Sequence, residues 1–179
     1  IEALKKLIDQ KRLGTIATVE VRIPWWREQH YYDQDGRGTW ARDGGGVLIT
    51  QAIHTLDIML LLCGPVKEVQ GLIHTSALHK LEAEDFSGAL LNFESGARGT
   101  LMASTTHYPG HKEEIILNCS EATVNISGAD LKVFYHNGKI ESLETDSQTG
   151  SGSDPMDFSY TWHANVIEQF WTQFTKNQQ

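Results

Sequence analysis

The second half of the sequence is dominated by short β runs separated by turn signals. Apolar and polar residues alternate along these runs, which is the period of half-buried strands. Glu94-Ser95-Gly96 and Asn137-Gly138 separate neighbouring runs by only a few residues, and such spacing favours hairpins. The predicted strands are Val66–Leu78, Phe86–Phe93, Ala97–Thr106, Glu113–Cys119, Thr123–Ile126, Leu131–Tyr135 and Lys139–Leu143. Strands joined this closely predict a largely antiparallel sheet.

Three helical patterns flank the β region. Leu4, Leu7 and Ile8 share one face of an opening helix that Gly14 should end, and a strand follows from Thr15 to Trp25. A second helix is predicted over Val47–Cys63, before Gly64-Pro65. A third follows an exposed Ser- and Gly-rich loop over 145–155 and is capped by Asp157 or Ser159. The predicted buried stripes are Ile49, Ala52, Ile53, Leu56, Leu60 and Cys63 in the second helix, and Trp162, Val166, Ile167, Phe170 and Phe174 in the third.

This order of elements predicts an α+β fold, with one open, mostly antiparallel sheet and helices packed on one face. The length of 179 residues suits a single domain. Alternation in one central strand places five residues on a single face: Arg98, Thr100, Met102, Ser104 and Thr106. Because a sheet face without helices must meet water or another subunit, we expect a homodimer or homotetramer through this open face.

Charge and composition exclude several classes of protein. The formal net charge is −8 and the pI about 5.4, which argues against a nucleic-acid partner. The longest apolar run, Ile58 to Cys63, is too short to cross a bilayer, so no membrane association is expected. The two cysteines, Cys63 and Cys119, lie in apolar surroundings and form no disulfide framework. We therefore expect buried thiols and a cytoplasmic location.

The densest functional signal begins in the long connection from Trp26 to Gly46, which is rich in aromatic residues. Connections of this length in a compact domain are usually functional when they are ordered. The connection ends in Gly44-Gly45-Gly46 at the predicted start of a helix. Free N–H groups at such a glycine-rich entrance are able to bind an anionic or oxygen-rich ligand.

On the helix that follows, Thr50, His54 and Asp57 lie at i, i+4 and i+7 and form one polar stripe. A histidine in this position is able to exchange a proton near neutral pH, and Asp57 would orient it. The residue type alone also fits a structural histidine. A metal site is disfavoured because neither His54 with Asp57 nor His107 with His111 has a third partner at ligand spacing.

The block from Gly44-Gly45-Gly46-Val47-Leu48 through Gln51-Ala52-Ile53-His54-Thr55-Leu56-Asp57 to Gly64-Pro65-Val66 resembles the glucose–fructose oxidoreductase, inositol dehydrogenase and MocA (Gfo/Idh/MocA) family. Tyr31-Tyr32 with Arg37-Gly38-Thr39-Trp40 is similar to the substrate loop of that family, and Phe93 to Ala97 to its central hairpin. Within this resemblance the chain corresponds to the second, substrate-binding and oligomerisation domain.

The resemblance implies hydride transfer between NAD or NADP and a secondary alcohol of a sugar, polyol or nucleotide sugar. His54 would be the proton acceptor or donor, and the substrate contacts would be Tyr32, Arg37, Trp40, Thr50 and Asp57. The cofactor would be bound by a Rossmann domain that also supplies a lysine. Because the sequence starts at Ile1 and has no GxGxxG fingerprint, we expect a fragment without that domain and without the final helix, inactive alone and with no cofactor-binding residue of its own.

One departure from the family pattern concerns position 50. Some polyol dehydrogenases of the family have an aspartate four residues before the histidine, whereas this chain has Thr50. An inositol-type carboxylate–histidine pair is thus not expected here. Two other functions remain open: a non-catalytic module for dimerisation or ligand sensing, and an NAD-dependent glycosidase.

Overall fold

Close turns between successive β runs produce one eight-stranded sheet in the computed structural model, which describes residues 1–143 and 161–176. The strands are β1 (Ile16–Pro24), β2 (Val66–His74), β3 (Phe86–Phe93), β4 (Arg98–Ser104), β5 (Glu114–Cys119), β6 (Ala122–Ser127), β7 (Asp130–Tyr135) and β8 (Ile140–Leu143). The helices are α1 (Glu2–Asp9), α2 (Gln29–Tyr32), α3 (Trp40–Asp43), α4 (Ile53–Cys63) and α5 (Thr161–Lys176), and a π-helical turn (Leu48–Ala52) leads into α4.

The strand order is β2-β3-β4-β1-β5-β6-β7-β8. All neighbouring strands are antiparallel except β1 and β4, which run parallel with Val19 opposite Gly99 and Val21 opposite Leu101. The parallel pair arises because the chain leaves β1, forms the helical region and two strands, and returns beside β1. The predicted α+β fold with a mostly antiparallel open sheet is confirmed.

Strand alternation places the core on one side of the sheet, where α1 and α4 also pack. Residues there are almost completely buried, including Val19, Val21, Leu101, Leu117, Val124 and Val133. On the opposite face Glu20, Thr100 and Lys132 are exposed. Among the described residues, helices therefore cover only one side of the sheet, as its period-two pattern predicts.

Two local predictions need correction. The first helix ends at Asp9 rather than at Gly14, because the chain turns through Lys11, which has a left-handed φ of 56°. The connection over Trp26–Gly46 is not simply a loop, since it contains α2 and α3. Both short helices form where local turn contacts satisfy the backbone, which hydrophobic periodicity does not reveal.

The predicted buried stripe of α4 is wrong in its orientation. Three predicted members contact the core, since Ala52 and Cys63 are buried and Leu56 is partly buried against it. The other three are exposed (Ile49, Ile53 and Leu60), and Thr55, Met59 and Leu62 are buried in their place. The reason is that α4 is apolar on nearly every side, so its periodicity does not select the face that meets the sheet. One apolar side of α4 is left at the surface.

The open face also differs from expectation at one end. Arg98 and Thr100 are exposed and Met102 is half-buried, but Ser104 is fully buried. The Ser104 hydroxyl lies 2.6 Å from Thr106 Oγ1 and accepts the Thr106 N–H at 3.0 Å, so it is bonded within the fold. Oligomerisation through the open face stays a prediction.

The late helix is present over Thr161–Lys176, but its predicted buried stripe is wrong. Val166, Ile167, Phe170 and Phe174 are exposed. An amphipathic pattern predicts the helix without specifying a surface to cover it. The proposed caps Asp157 and Ser159 and the loop over 145–155 lie outside the described residues, as does the side chain of Trp162.

The stretch from Trp40 to Cys63 meets the length and hydropathy criteria of a membrane span. Core helices of water-soluble proteins meet the same criteria, and 44% of the apolar window is buried inside the protein. Gly44 also has a left-handed φ of 75°, which ends α3 within this stretch. The criterion is therefore weak support for a membrane helix here.

Both cysteines are buried free thiols, as predicted. Burial raises the pKa of Cys63 to about 12 and that of Cys119 to about 11, because a thiolate loses hydration in the core. At pH 8 both groups are therefore protonated and unreactive.

We predict that the folded protein does not react with a thiol reagent such as 5,5′-dithiobis(2-nitrobenzoic acid) at pH 8. Both thiols should react at once in a concentrated guanidinium solution, which serves as the positive control. The reaction is monitored by absorbance. Rapid labelling of Cys63 or Cys119 under native conditions would contradict the burial of these thiols in the core.

Candidate functional site around His54

The glycine-rich entrance to α4 is bound by another part of the same chain. The N–H groups of Gly46 and Leu48 donate to the two carboxylate oxygens of Glu84 at 2.9 and 3.2 Å, and the Val47 N–H donates to the Glu84 carbonyl at 2.9 Å. The predicted role of this entrance in binding an anionic ligand is therefore wrong for these three N–H groups. The carboxylate of Glu84 already bonds two of them and its backbone carbonyl bonds the third.

Gly46 is required by this contact. A Cβ atom at position 46 would lie 1.8 Å from the carbonyl oxygen of Glu84, which is backbone and cannot rotate away. Glu84 itself is buried. The third glycine thus allows a close approach between two backbone segments rather than a ligand contact.

Glu84 belongs to a segment, residues 82–85, that we call the clamp segment. Its Ala83 N–H donates to the Gly38 carbonyl at 2.9 Å, next to Arg37. Its Asp85 carboxylate accepts the Ser76 N–H and hydroxyl and lies 2.8 Å from Nδ1 of His79, whose Nε2 lies 2.9 Å from the Arg27 carbonyl. Both Asp85 and His79 are buried. The clamp segment therefore joins the α4 entrance, the Arg37 loop and the residues after β1.

His54 is the second residue of α4, directly after the π-helical turn. Its side chain is exposed, and so is that of Asp57. In the described part of the chain neither side chain takes part in a hydrogen bond or an ion pair, so the predicted orientation of His54 by Asp57 stays a prediction. Single π turns within helices occur frequently at functional sites.

Thr50 lies in the π-helical turn, where its hydroxyl donates to the Gly46 carbonyl at 2.7 Å and also contacts Oε1 of Gln51. The side chain of Gln51 is oriented towards the long connection, and its Nε2 donates to the Tyr31 hydroxyl at 3.1 Å. Nη1 of Arg37 donates to the same hydroxyl at 2.6 Å. Tyr31 therefore connects Arg37 with the turn that precedes His54.

The other two predicted contacts are placed differently. Tyr32 is 9% exposed, and its hydroxyl lies 2.7 Å from Thr105 Oγ1. Burial raises the Tyr32 pKa to about 12, which fits a packed phenol. Trp40 is 48% exposed, with its backbone N–H donating to Glu82 Oε2 at 3.3 Å. Trp40 is therefore accessible to a ligand, whereas the hydroxyl of Tyr32 is already bonded within the fold.

Metal binding has no geometric support in residues 1–143 and 161–176, where no three His, Cys, Asp or Glu side chains come together. The pKa of His107 is lowered by burial, and also by the charge of Arg22 and by His111.

Comparison with known proteins identifies the lineage of this domain. The family model described as the GFO/IDH/MocA C-terminal domain matches residues 1–125. The chain belongs to the Gfo/Idh/MocA family. The comparison with curated proteins gives no match.

Two solved Gfo/Idh/MocA structures are similar in sequence as well as in fold. The WlbA dehydrogenase of Bordetella pertussis, in complex with NADH and UDP-GlcNAcA, is 32% identical over 83% of this chain and 44% of its own, with a TM-score of 0.68. The WlbA dehydrogenase of Chromobacterium violaceum, with the same two ligands, is 29% identical over 94% of this chain and 48% of its own, with a TM-score of 0.72. The chain spans less than half the length of either enzyme.

A levoglucosan dehydrogenase in complex with NADH has a TM-score of 0.73 at 16% identity, over 93% of this chain and 50% of its own. At that identity the likeness concerns the fold alone. Shared architecture with this member of the family therefore says nothing about the substrate.

The amino-acid sequence does not indicate the contacts that Tyr31, Gln51 and Glu84 make at this Gfo/Idh/MocA site. Tyr31 and Tyr32 are adjacent, and only the position of α2 decides which ring is buried. Glu84 follows several polar residues and gives no sign of burial. The only signal is that Glu84 and Asp85 directly precede a predicted strand, where two consecutive charges need partners.

We predict that Gly46→Ala lowers the free energy of unfolding by about 1–3 kcal/mol, because the added methyl group overlaps backbone atoms of Glu84. Urea denaturation measures the change. Gly88→Ala is the matched control, since a Cβ there would lie 3.6 Å from the Phe86 ring, an ordinary contact. Equal stability of the two variants would show that the contact between Gly46 and Glu84 is not close.

Proposed function

We propose that this chain is the substrate-binding domain of an NAD- or NADP-dependent oxidoreductase with His54 as its general acid–base. The observation that carries the proposal is the similarity to two WlbA dehydrogenases crystallised with NADH and UDP-GlcNAcA. Among sugars, polyols and nucleotide sugars, we propose a nucleotide sugar. Thr50 in place of a carboxylate also favours this class over an inositol-type polyol.

The chemistry assigned to His54 follows from the oxidation of a secondary alcohol. A nicotinamide cofactor, when bound, accepts the hydride from the alcohol carbon. The hydroxyl proton must leave as the C=O bond forms, and an imidazole accepts such a proton near neutral pH. In the reverse direction the protonated ring returns the proton to the carbonyl oxygen. The side chain of His54 is exposed and forms no hydrogen bond within the described ranges, which suits this exchange.

The residues of this chain do not fit a dinucleotide phosphate at the one glycine-rich helix entrance in the described ranges. Its N–H groups are bonded to Glu84. We therefore assign the cofactor to a nucleotide-binding domain outside this sequence. Ile53, Leu60 and Leu61 are exposed on the helix that carries His54, and such an apolar surface supports the packing of a further domain there.

Two further parts of the proposal concern assembly and location. The open sheet face is proposed to form a homodimer or homotetramer, because it lacks helical cover. A cytoplasmic location is proposed because the free, buried thiols suit a reducing compartment.

In the full-length protein, His54→Ala should lower kcat for a UDP-sugar substrate by a factor of about 10² or more, the usual contribution of a general acid–base. Steady-state assay of NADH absorbance measures it. His136→Ala, an exposed histidine in the turn between β7 and β8, is the matched control and should leave kcat unchanged. An undiminished kcat in His54→Ala would remove His54 from the mechanism.

A further inference from the structure

Tyr31 holds the guanidinium group of Arg37 in a fixed orientation. The Arg37 Cζ atom lies 4.3 Å from the centroid of the Tyr31 ring, which is cation–π geometry. Nη1 of Arg37 donates to the Tyr31 hydroxyl at 2.6 Å, and Nε donates to Gln34 Oε1 at 3.2 Å. These contacts use two of the five N–H donors of a guanidinium. Within the described residues, the remaining three donors of Arg37 form no hydrogen bond.

The charge of Arg37 is not neutralised within the part of the chain that the structure describes. Arg22 and Arg42 form ion pairs with Glu114 and Asp43, whereas no carboxylate in residues 1–143 and 161–176 pairs with Arg37. The guanidinium of Arg27 lies 5.5 Å from the centroid of the same Tyr31 ring, so this ring contacts two guanidinium groups.

Arg37 is connected to the helix that carries His54. The Tyr31 hydroxyl that accepts a hydrogen bond from Arg37 also accepts one from Nε2 of Gln51, which lies three residues before His54. Arg37 and the π-helical turn are thus joined through a single oxygen atom. A substrate anion on Arg37 would place the rest of the substrate near the start of α4.

We propose that Tyr31 orients Arg37 to bind an anionic group of the substrate, a carboxylate or a phosphate, beside His54. Arg37 is the binding residue, and Tyr31 is a positioning residue that acts through it. A planar, preorganised guanidinium suits both oxyanions because it donates two parallel hydrogen bonds. The inference rests on the proposed function, since it names the part of the substrate that this site recognises.

The role of Tyr31 is tested by two adjacent phenol-to-phenyl changes in the full-length protein. Tyr31→Phe keeps the ring under Arg37 but removes the shared hydroxyl, so the Kd for UDP-GlcNAcA should rise about fivefold, and Tm should also fall because buried Gln51 loses its acceptor. Tyr32→Phe removes a buried hydrogen bond to Thr105, so Tm should fall while Kd is unchanged. Titration calorimetry and thermal unfolding measure the two effects. An unchanged Kd in Tyr31→Phe would overturn the positioning role.

The source of the anion is tested by Arg37→Ala, titrated with UDP-GlcNAcA and with UDP-GlcNAc, which lacks the carboxylate. If Arg37→Ala loses about tenfold or more in affinity for UDP-GlcNAcA but not for UDP-GlcNAc, Arg37 binds the carboxylate of the substrate. If the affinity for both sugars falls equally, Arg37 binds a phosphate. Unchanged affinity for both sugars would overturn the proposal. Arg37→Lys should recover only part of the affinity, because it restores charge without the fork.

The two proposals fail in different measurements. If neither UDP sugar binds the unmutated protein, the proposed nucleotide-sugar substrate is wrong and the anion site falls with it. If both sugars bind the unmutated protein and the Arg37 variants bind them with the same affinity, the proposed anion site is wrong while the proposed function stands.

Discussion

The contact between Glu84 and the entrance of α4 is the constraint on which the site depends. Three consecutive N–H groups, from Gly46 to Leu48, are bonded by one buried residue. Helix entrances need such partners, because their first N–H groups have no acceptor within the helix. A carboxylate is especially favourable there because it also opposes the positive end of the helix dipole. The clamp segment thus fixes the position of the helix that carries His54.

The same short segment fixes the rest of the site. Ala83 binds the loop that carries Arg37 through the Gly38 carbonyl, and Asp85 reaches the Arg27 carbonyl through His79. Because all these contacts are buried or between backbone atoms, they fix the positions of the surface residues without using their side chains. His54, Arg37 and Trp40 remain accessible on a scaffold whose interior polar groups are bonded to one another.

Much of the fold was predictable because apolar and polar residues alternate along the strands with a period of two. The alternation of Val19, Val21 and Ile23 and the hairpin turns at Gly96 and Gly138 are local signals, and the strands formed within a few residues of the predicted limits. The orientation of α4 was not predictable, since a helix that is apolar on nearly every side has no preferred face. For α5 the apolar pattern likewise predicted the helix correctly, but the residues that it predicted to be buried are exposed.

The candidate site was predictable in part for a related reason. His54 and Arg37 were found through residue type and the family block, whereas the contacts that orient them come from residues distant in sequence. Glu84 lies 38 positions from Gly46, and Gln51 lies 20 positions from Tyr31. Such pairs are set by the tertiary fold, and a single sequence carries no local signal of them.

The proposed proton exchange at His54 is best tested by a crystal structure of the full-length protein with NADH and UDP-GlcNAcA. We expect an imidazole nitrogen of His54 within about 3.2 Å of a sugar hydroxyl whose carbon faces the nicotinamide. A bound sugar whose reacting hydroxyl contacts another side chain, with His54 left in solvent, would contradict it.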